Sequence, residues 1–187
     1  ILPGSNSNTK IIDITVEEKP TGEISLGAGV GTSGGTIGGG VKENNFLGKG
    51  IRLDTNLQLT KNSIKGKFVH VKPNFNYSDN TLFTSVSSSS NDYLGDYGWK
   101  SSNIATSLAT SFEQFENFYF KPEIATSYEK IETTDKATPA KKKQVGNYFD
   151  AYFNYELDYD LRNRRFQPTE GFRNTFYQEL PAISKNY

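Results

Sequence analysis

The sequence predicts an all-β chain of antiparallel strands, and three observations carry that prediction. Apolar and polar residues alternate with a period of two through much of the chain, which is the spacing of side chains along a strand. Clusters of Gly, Asn, Ser and Pro separate the alternating stretches, as turns between strands require. Aromatics make up 13% of the residues, with 11 Tyr and 13 Phe, while Leu-rich helical stretches are missing. Aromatic and β-branched side chains fit a pleated surface better than a helix.

The elements follow in order. Residues 11–17 are rich in β-branched side chains and read as a strand, preceded by a turn around Pro3 and Gly4. Residues 19–22 form a short joint. We read 1–20 as the remnant of a small domain and 21–187 as a second unit. In 23–31, Ile24, Leu26, Ala28 and Val30 share one face, and Ser25, Gly27, Gly29 and Gly31 the other. After a turn at 32–35, Ile37, Gly39 and Val41 alternate with Thr36, Gly38, Gly40 and Lys42. A turn at 44–50 leads to a strand in which Ile51, Leu53, Leu57 and Leu59 oppose Arg52, Asp54, Asn56 and Gln58.

Alternation is weaker in 64–72, beyond a polar turn at 60–63. A turn begins at Pro73, and 82–90 is a Ser-rich strand. Beyond a loop at 91–100, Ile104, Leu108 and Phe112 oppose Asn103, Ser107 and Ser111. A tight turn at 114–117 follows, and then Phe118, Phe120, Ile124 and Tyr128 share a face. The long polar loop 132–147 carries Lys141, Lys142 and Lys143. Alternation is unbroken in 148–161, and the turn 162–171 leads to a last strand from Phe172. The count from residue 23 is about nine strands, several near the roughly 9–11 residues that a tilted membrane strand needs.

Which face is buried is a separate question. A soluble barrel turns its apolar face inward, whereas an outer-membrane barrel turns it to lipid around a wet, polar lumen. Alternation by itself fits both. Asp150, Glu156, Asp158 and Asp160 on one strand face, with Arg52 and Asp54 on another, suit a hydrated lumen of paired charges. Phe112, Phe118, Phe149 and Phe172 lie near strand ends, where interfacial aromatic girdles sit. These features favour the membrane barrel. Such a barrel has short turns at one end and long loops at the other. The turn 114–117 and the loop 132–147 follow that rule; the short 32–35 and 60–63 do not.

Little chemistry is on offer. The chain has no Cys, which excludes disulfides and thiolate metal sites, and His70 is its single histidine, a strand residue near a turn. With 21 basic and 21 acidic residues there is no net field to collect nucleic acid. Gly29, Gly31 and Gly34 fit G-x-G-x-x-G, but a dinucleotide site needs a helix there, and Gly35, Gly38, Gly39 and Gly40 oppose one. A hairpin between Gly-rich strands is expected instead. The carboxylates of 150–160 read as lumen charges rather than a metal or acid–base site, and no metal or cofactor is expected. Arg162, Arg164 and Arg165 line a turn, near lipid phosphates in a membrane setting.

Certain runs go beyond periodicity. The stretch 12–29, Ile-Asp-Ile-Thr-Val-Glu-Glu-Lys-Pro-Thr-Gly-Glu-Ile-Ser-Leu-Gly-Ala-Gly, resembles the junction in BamA-type assembly factors, where the last strand of the final POTRA domain enters the first barrel strand. Asn45, Phe46, Leu47 and Gly48, within 41–50, resemble that family's turn between its second and third strands. Pro73, Asn74 and Phe75 sit where it has a turn after the fourth strand. Pro168, Thr169 and Gly171 resemble its Pro-Thr-x-Gly periplasmic turn. The resemblance spans nearly the whole chain in the family's order, with the middle strands matching in pattern only.

The resemblance implies the N-terminal half of an antiparallel transmembrane β-barrel, about nine strands, preceded by the last strand of a POTRA domain. We read both ends as cut: the chain opens at Ile1, contains no Met and stops at Tyr187 within a strand-like stretch. The family's Arg-Gly-Phe motif would lie beyond Tyr187. By resemblance the chain is no enzyme. It would fold and insert outer-membrane proteins in the bacterial outer membrane, with its N-terminal segment periplasmic. Its partners would be those substrates, periplasmic assembly lipoproteins and outer-membrane lipid. Competing expectations are a TamA-like factor, a two-partner secretion barrel and a passive porin. The resemblance assigns strand pairing at a lateral gate to Glu23, Ile24, Ser25, Leu26, Gly27, Ala28, Gly29, Val30 and Gly31. An exposed strand edge offers unpaired N–H and C=O groups to an incoming strand. The glycines there carry two readings: room for close backbone approach, or a loosely held strand.

Overall fold

The computed structural model describes residues 2–3, 10–12, 14–17, 19–31 and 34–187. Near the N-terminus, β1 (Leu2–Pro3) and β2 (Lys10–Ile11) form a small two-stranded ladder. The strand expected over 11–17 is not formed at Ile12 or 14–17, which have no regular structure, and Ile12, Ile14 and Val16 are exposed. Its β-branched residues favour an extended chain, but among the described residues no second strand lies alongside to complete a ladder. The turn expected at Gly4 lies outside the described residues.

Nine strands follow: β3 (Gly22–Gly31), β4 (Gly34–Phe46), β5 (Ile51–Thr60), β6 (Ser63–Lys72), β7 (Thr81–Tyr93), β8 (Trp99–Phe115), β9 (Phe118–Thr133), β10 (Gly146–Asp160) and β11 (Arg173–Asn186). They make one open antiparallel sheet in which each strand pairs with its neighbours in sequence, so β3 and β11 are its edges. A meander of this kind needs only hairpin connections.

Register shows which face is which. One cross-strand row runs Ile24, Val41, Thr55, Phe68, Val86, Thr106, Thr126, Ala151, Ile183 through every strand. The neighbouring row on the opposite face runs Ser25, Gly40, Asn56, Lys67, Ser87, Ala105, Ser127, Asp150, Ser184. The apolar face is the exposed one: Ile24, Leu26 and Val30 are 82%, 85% and 92% exposed. The polar face curves into shallow concavities, one lined by Asp54, Asn56, Lys65, Lys67 and Ser87. Its Asn154 is only 2% exposed. An exposed apolar surface of this extent is unusual for a soluble protein and is the arrangement expected of a lipid-facing barrel wall. Among the described residues no helix is long and apolar enough to cross a membrane. The weak alternation in β6 has a local reason, since Val69 and Val71 join Asp54 and Arg52 on the polar face.

Three of the four girdle candidates gather at one end. Phe112 meets Phe120 edge-on at 5.6 Å, Phe118 lies 6.3 Å from Tyr159, and Tyr159 lies 5.9 Å from Phe172. Phe149 sits toward the opposite end, across from Tyr128. The expected difference in loop length between the ends is not present. The end nearest the β3 start carries connections 47–50, 73–80, 116–117 and 161–172; the far end carries 61–62, 94–98 and 134–145. Each end therefore has one long connection. The far one contains a single helical turn, α1 (Pro139–Lys142), capped by the Thr138 hydroxyl, and docks on its neighbour through Thr134 N–H to the Gly98 carbonyl at 2.7 Å.

Candidate functional site

All nine residues from Glu23 to Gly31 lie on β3, the edge strand, and every one is exposed. β3 is bonded on one side only, to β4, from Gly22 opposite Glu43 to Gly31 opposite Gly34. Among the described residues no strand lies beside its other edge. Residues 29–31 and Gly34 are thus strand residues paired across β3 and β4, and among the described residues no helix starts there to hold a pyrophosphate; the rest of the turn expected at 32–35 includes two residues outside the described ones.

The glycines divide between the two readings. On β4, a methyl group at Gly40 would stand 2.8 Å from the Thr55 carbonyl oxygen, and one at Gly39 3.1 Å from that of Ser25. Close backbone approach accounts for these two. On β3, a methyl at Gly27, Gly29 or Gly31 would meet nothing within 4 Å. Packing does not require them, and their effect is to leave the strand without side-chain anchors. Among the described residues β3 makes one side-chain hydrogen bond, Ser25 Oγ to the Gly40 carbonyl at 3.4 Å.

The turn motif Asn45, Phe46, Leu47, Gly48 closes β4 and starts the connection to β5. The Asn45 side chain accepts the Gly50 N–H at 2.6 Å, and Leu47 and Gly48 take positive φ of 56° and 68°. A bulge between Glu43 and Phe46 breaks the β4–β5 register. It brings Glu43 and Asn44 to Thr21, just before β3. Glu43 accepts a short hydrogen bond from the Thr21 hydroxyl, and the Asn44 backbone and side-chain amides both donate to the Thr21 carbonyl, at 3.2 and 3.0 Å. Sequence reasoning assigned these three residues no role; the clue available to it was the Glu-Asn-Asn run facing a Thr-Gly joint.

Pro168, Thr169 and Gly171 lie in the 161–172 connection, at the same end as that turn but on the opposite side of the sheet. Asn163 locks the connection by donating to the Thr169 hydroxyl at 2.9 Å and accepting the Thr169 N–H at 3.3 Å. Gly171 has φ of 86°, and a methyl there would fall 2.0 Å from the Leu161 carbonyl oxygen, so only glycine fits.

Three of the four carboxylates of β10 are paired, those of Glu156, Asp158 and Asp160; among the described residues Asp150, Arg52 and Asp54 enter no ion pair. Arg173 forms a two-pronged bond to Asp158 at 2.7 and 2.9 Å, which also accepts the Thr175 hydroxyl at 3.0 Å. Arg162 does the same to Asp160, at 2.7 Å on both prongs. Lys121 faces Glu156 at 3.9 Å. Asp150 lies on the polar row with Lys67 and Ser87, away from these pairs. The carboxylates therefore hold the wall together.

A family model described as the Omp85 superfamily domain matches residues 45–184. The fold is similar to the crystal structure of BamA from Haemophilus ducreyi lacking POTRA domains 1–3, with a TM-score of 0.62 and 20% sequence identity. The similarity covers 89% of this chain and 35% of that one, so the chain spans about a third of that structure. No curated protein matches the chain by sequence.

Proposed function

The chain belongs to the Omp85 superfamily, and on that premise we propose that it is the strand-templating half of a bacterial outer-membrane barrel that folds and inserts other barrel proteins. The observation that carries this reading is β3, the first strand of the sheet, whose Gly27, Gly29 and Gly31 answer to no packing demand among the described residues. Free ladder groups give an incoming strand main-chain hydrogen bonds whatever its sequence, which suits varied substrates. The apolar side chains Ile24, Leu26, Ala28 and Val30 keep the templated strand's lipid face in step with the membrane. No covalent chemistry is involved. In this reading residues 1–20 belong to a POTRA domain on the periplasmic side, where assembly lipoproteins would dock, and outer-membrane lipid surrounds the apolar wall.

The test is cross-linking in the full-length protein. Cysteines at Ile24, Leu26, Ala28 and Val30 should each capture the terminal strand of a stalled barrel substrate. Insertion that proceeds with no adduct at any of these positions would remove β3 from the mechanism. Ion conductance through bilayers without substrate adducts would point instead to a diffusion pore.

A further inference from the structure

Glycine-rich strands specify register poorly, because a slip changes few side-chain contacts. The β3–β4 pairing is such a case, with Gly27 opposite Gly38, Leu26 opposite Gly39, Ser25 opposite Gly40 and Gly31 opposite Gly34. Toward Gly31 a single pair, Ala28 opposite Ile37, has side chains on both strands. The start of β3 is different. There the Thr21 hydroxyl donates to Glu43, and the Thr21 carbonyl accepts both amides of Asn44. Glu43 also accepts the Asn45 N–H at 2.7 Å, and Asn45 in turn accepts Gly50. The group is thus tied to a turn whose positive φ values at Leu47, Gly48 and Gly50 allow few alternatives. Only one alignment of β3 on β4 brings Thr21 to this group.

We propose that Thr21, Glu43 and Asn44 are positioning residues that pin the base and register of β3, so that the strand departs from β4 beginning at Gly31 and hands a fixed register to whatever pairs on its free edge. The second half of this statement rests on the templating reading; the first half does not. A slip of one residue on the template would turn every side chain of the new strand to the wrong face, which is why a weakly specified template strand needs an anchor outside its glycines.

The experiment reads register directly in the full-length protein in its membrane. One cysteine pair, at Ile24 and Val41, reports the native alignment; a second, at Leu26 and Val41, reports a two-residue slip. With the clasp intact only the first pair oxidises. In Thr21→Val, in Glu43→Ala and in the double variant, the first should fall about threefold while the second rises, a ratio of the size one lost hydrogen bond gives. Thr21→Ser, which keeps the donor, should restore the parent pattern. Oxidation of the native pair alone in all clasp variants overturns the proposal. A cysteine at Leu26 reads the substrate: adducts spread over several substrate positions in clasp variants support the transfer of register, and adducts confined to one position overturn it. Absence of substrate adducts in the parent protein would sink the templating reading, while the intrachain pairs still decide whether the clasp sets register.

Discussion

β3 and β11 are both edge strands, both exposed along their whole length, and both carry a full antiparallel ladder to one neighbour. Side-chain coupling separates them. β11 is tied to β10 by the Arg173–Asp158 pair, the Thr175 hydroxyl, a short hydrogen bond from Tyr155 to Gln178, and aromatic contact of Tyr155 with Phe176 at 6.1 Å. β3 has one long hydrogen bond within its length and is otherwise anchored only at its base. The comparison teaches that being an edge does not make a strand movable. Local opening follows from how few interactions break when the strand leaves, and by that measure the loose edge is β3.

Substitution can break the contrast at its rigid side first. Gly171→Ala would set a methyl against the Leu161 carbonyl in a left-handed backbone. We expect a loss of about 3 kcal/mol from overpacking and strain together, read as a lower urea midpoint for the heat-modifiable folded band in liposomes. The connection to β11 would then no longer be the firm side.

The hairpin at the loose side offers a sharper, smaller contrast. Gly40→Ala meets the Thr55 carbonyl at 2.8 Å and should cost about 2 kcal/mol. Gly27→Ala meets nothing and should leave stability unchanged or raise it by about 0.5 kcal/mol, through lower unfolded-chain entropy. If β3 works by being loose, Gly27→Ala should nevertheless slow substrate insertion. Equal destabilisation by both variants would show that the two sets of glycines do the same job.

A loss smaller than that of Gly40→Ala is expected at the ion pair. Asp158→Asn and Arg173→Gln should each cost about 1 kcal/mol after allowance for partial exposure, and the double variant should cost little more than either. Additive losses in that double-mutant cycle would mean that the pair does not couple β10 to β11. Amide exchange in β11 should then rise toward the level of β3.

Much of this was legible in the residues. Unbroken alternation in 148–161 located β10, and its acidic face required partners, which Arg173, Arg162 and Lys121 supply. The turn motifs at Asn45 and Pro168 marked real turns because Asn side chains and glycines with positive φ leave local signatures. Other features left none. Val69 and Val71 blurred the alternation of β6 by facing the polar side, and Ile12 and residues 14–17 have the composition of a strand with no strand beside them among the described residues. The Thr21 clasp was illegible because it joins residues separated by more than twenty positions and depends on a bulge that no spacing rule reveals.

By itself, then, the sequence determined an all-β meander, the two chemically distinct faces of each strand and the places where it turns. These are local properties, set by side-chain period and backbone preference. The tertiary structure decided which face is exposed, which glycines are demanded by close packing and which strand ends are tied down. Those depend on what each residue lies against across the sheet, and alternation is the same whether the apolar face looks inward or outward.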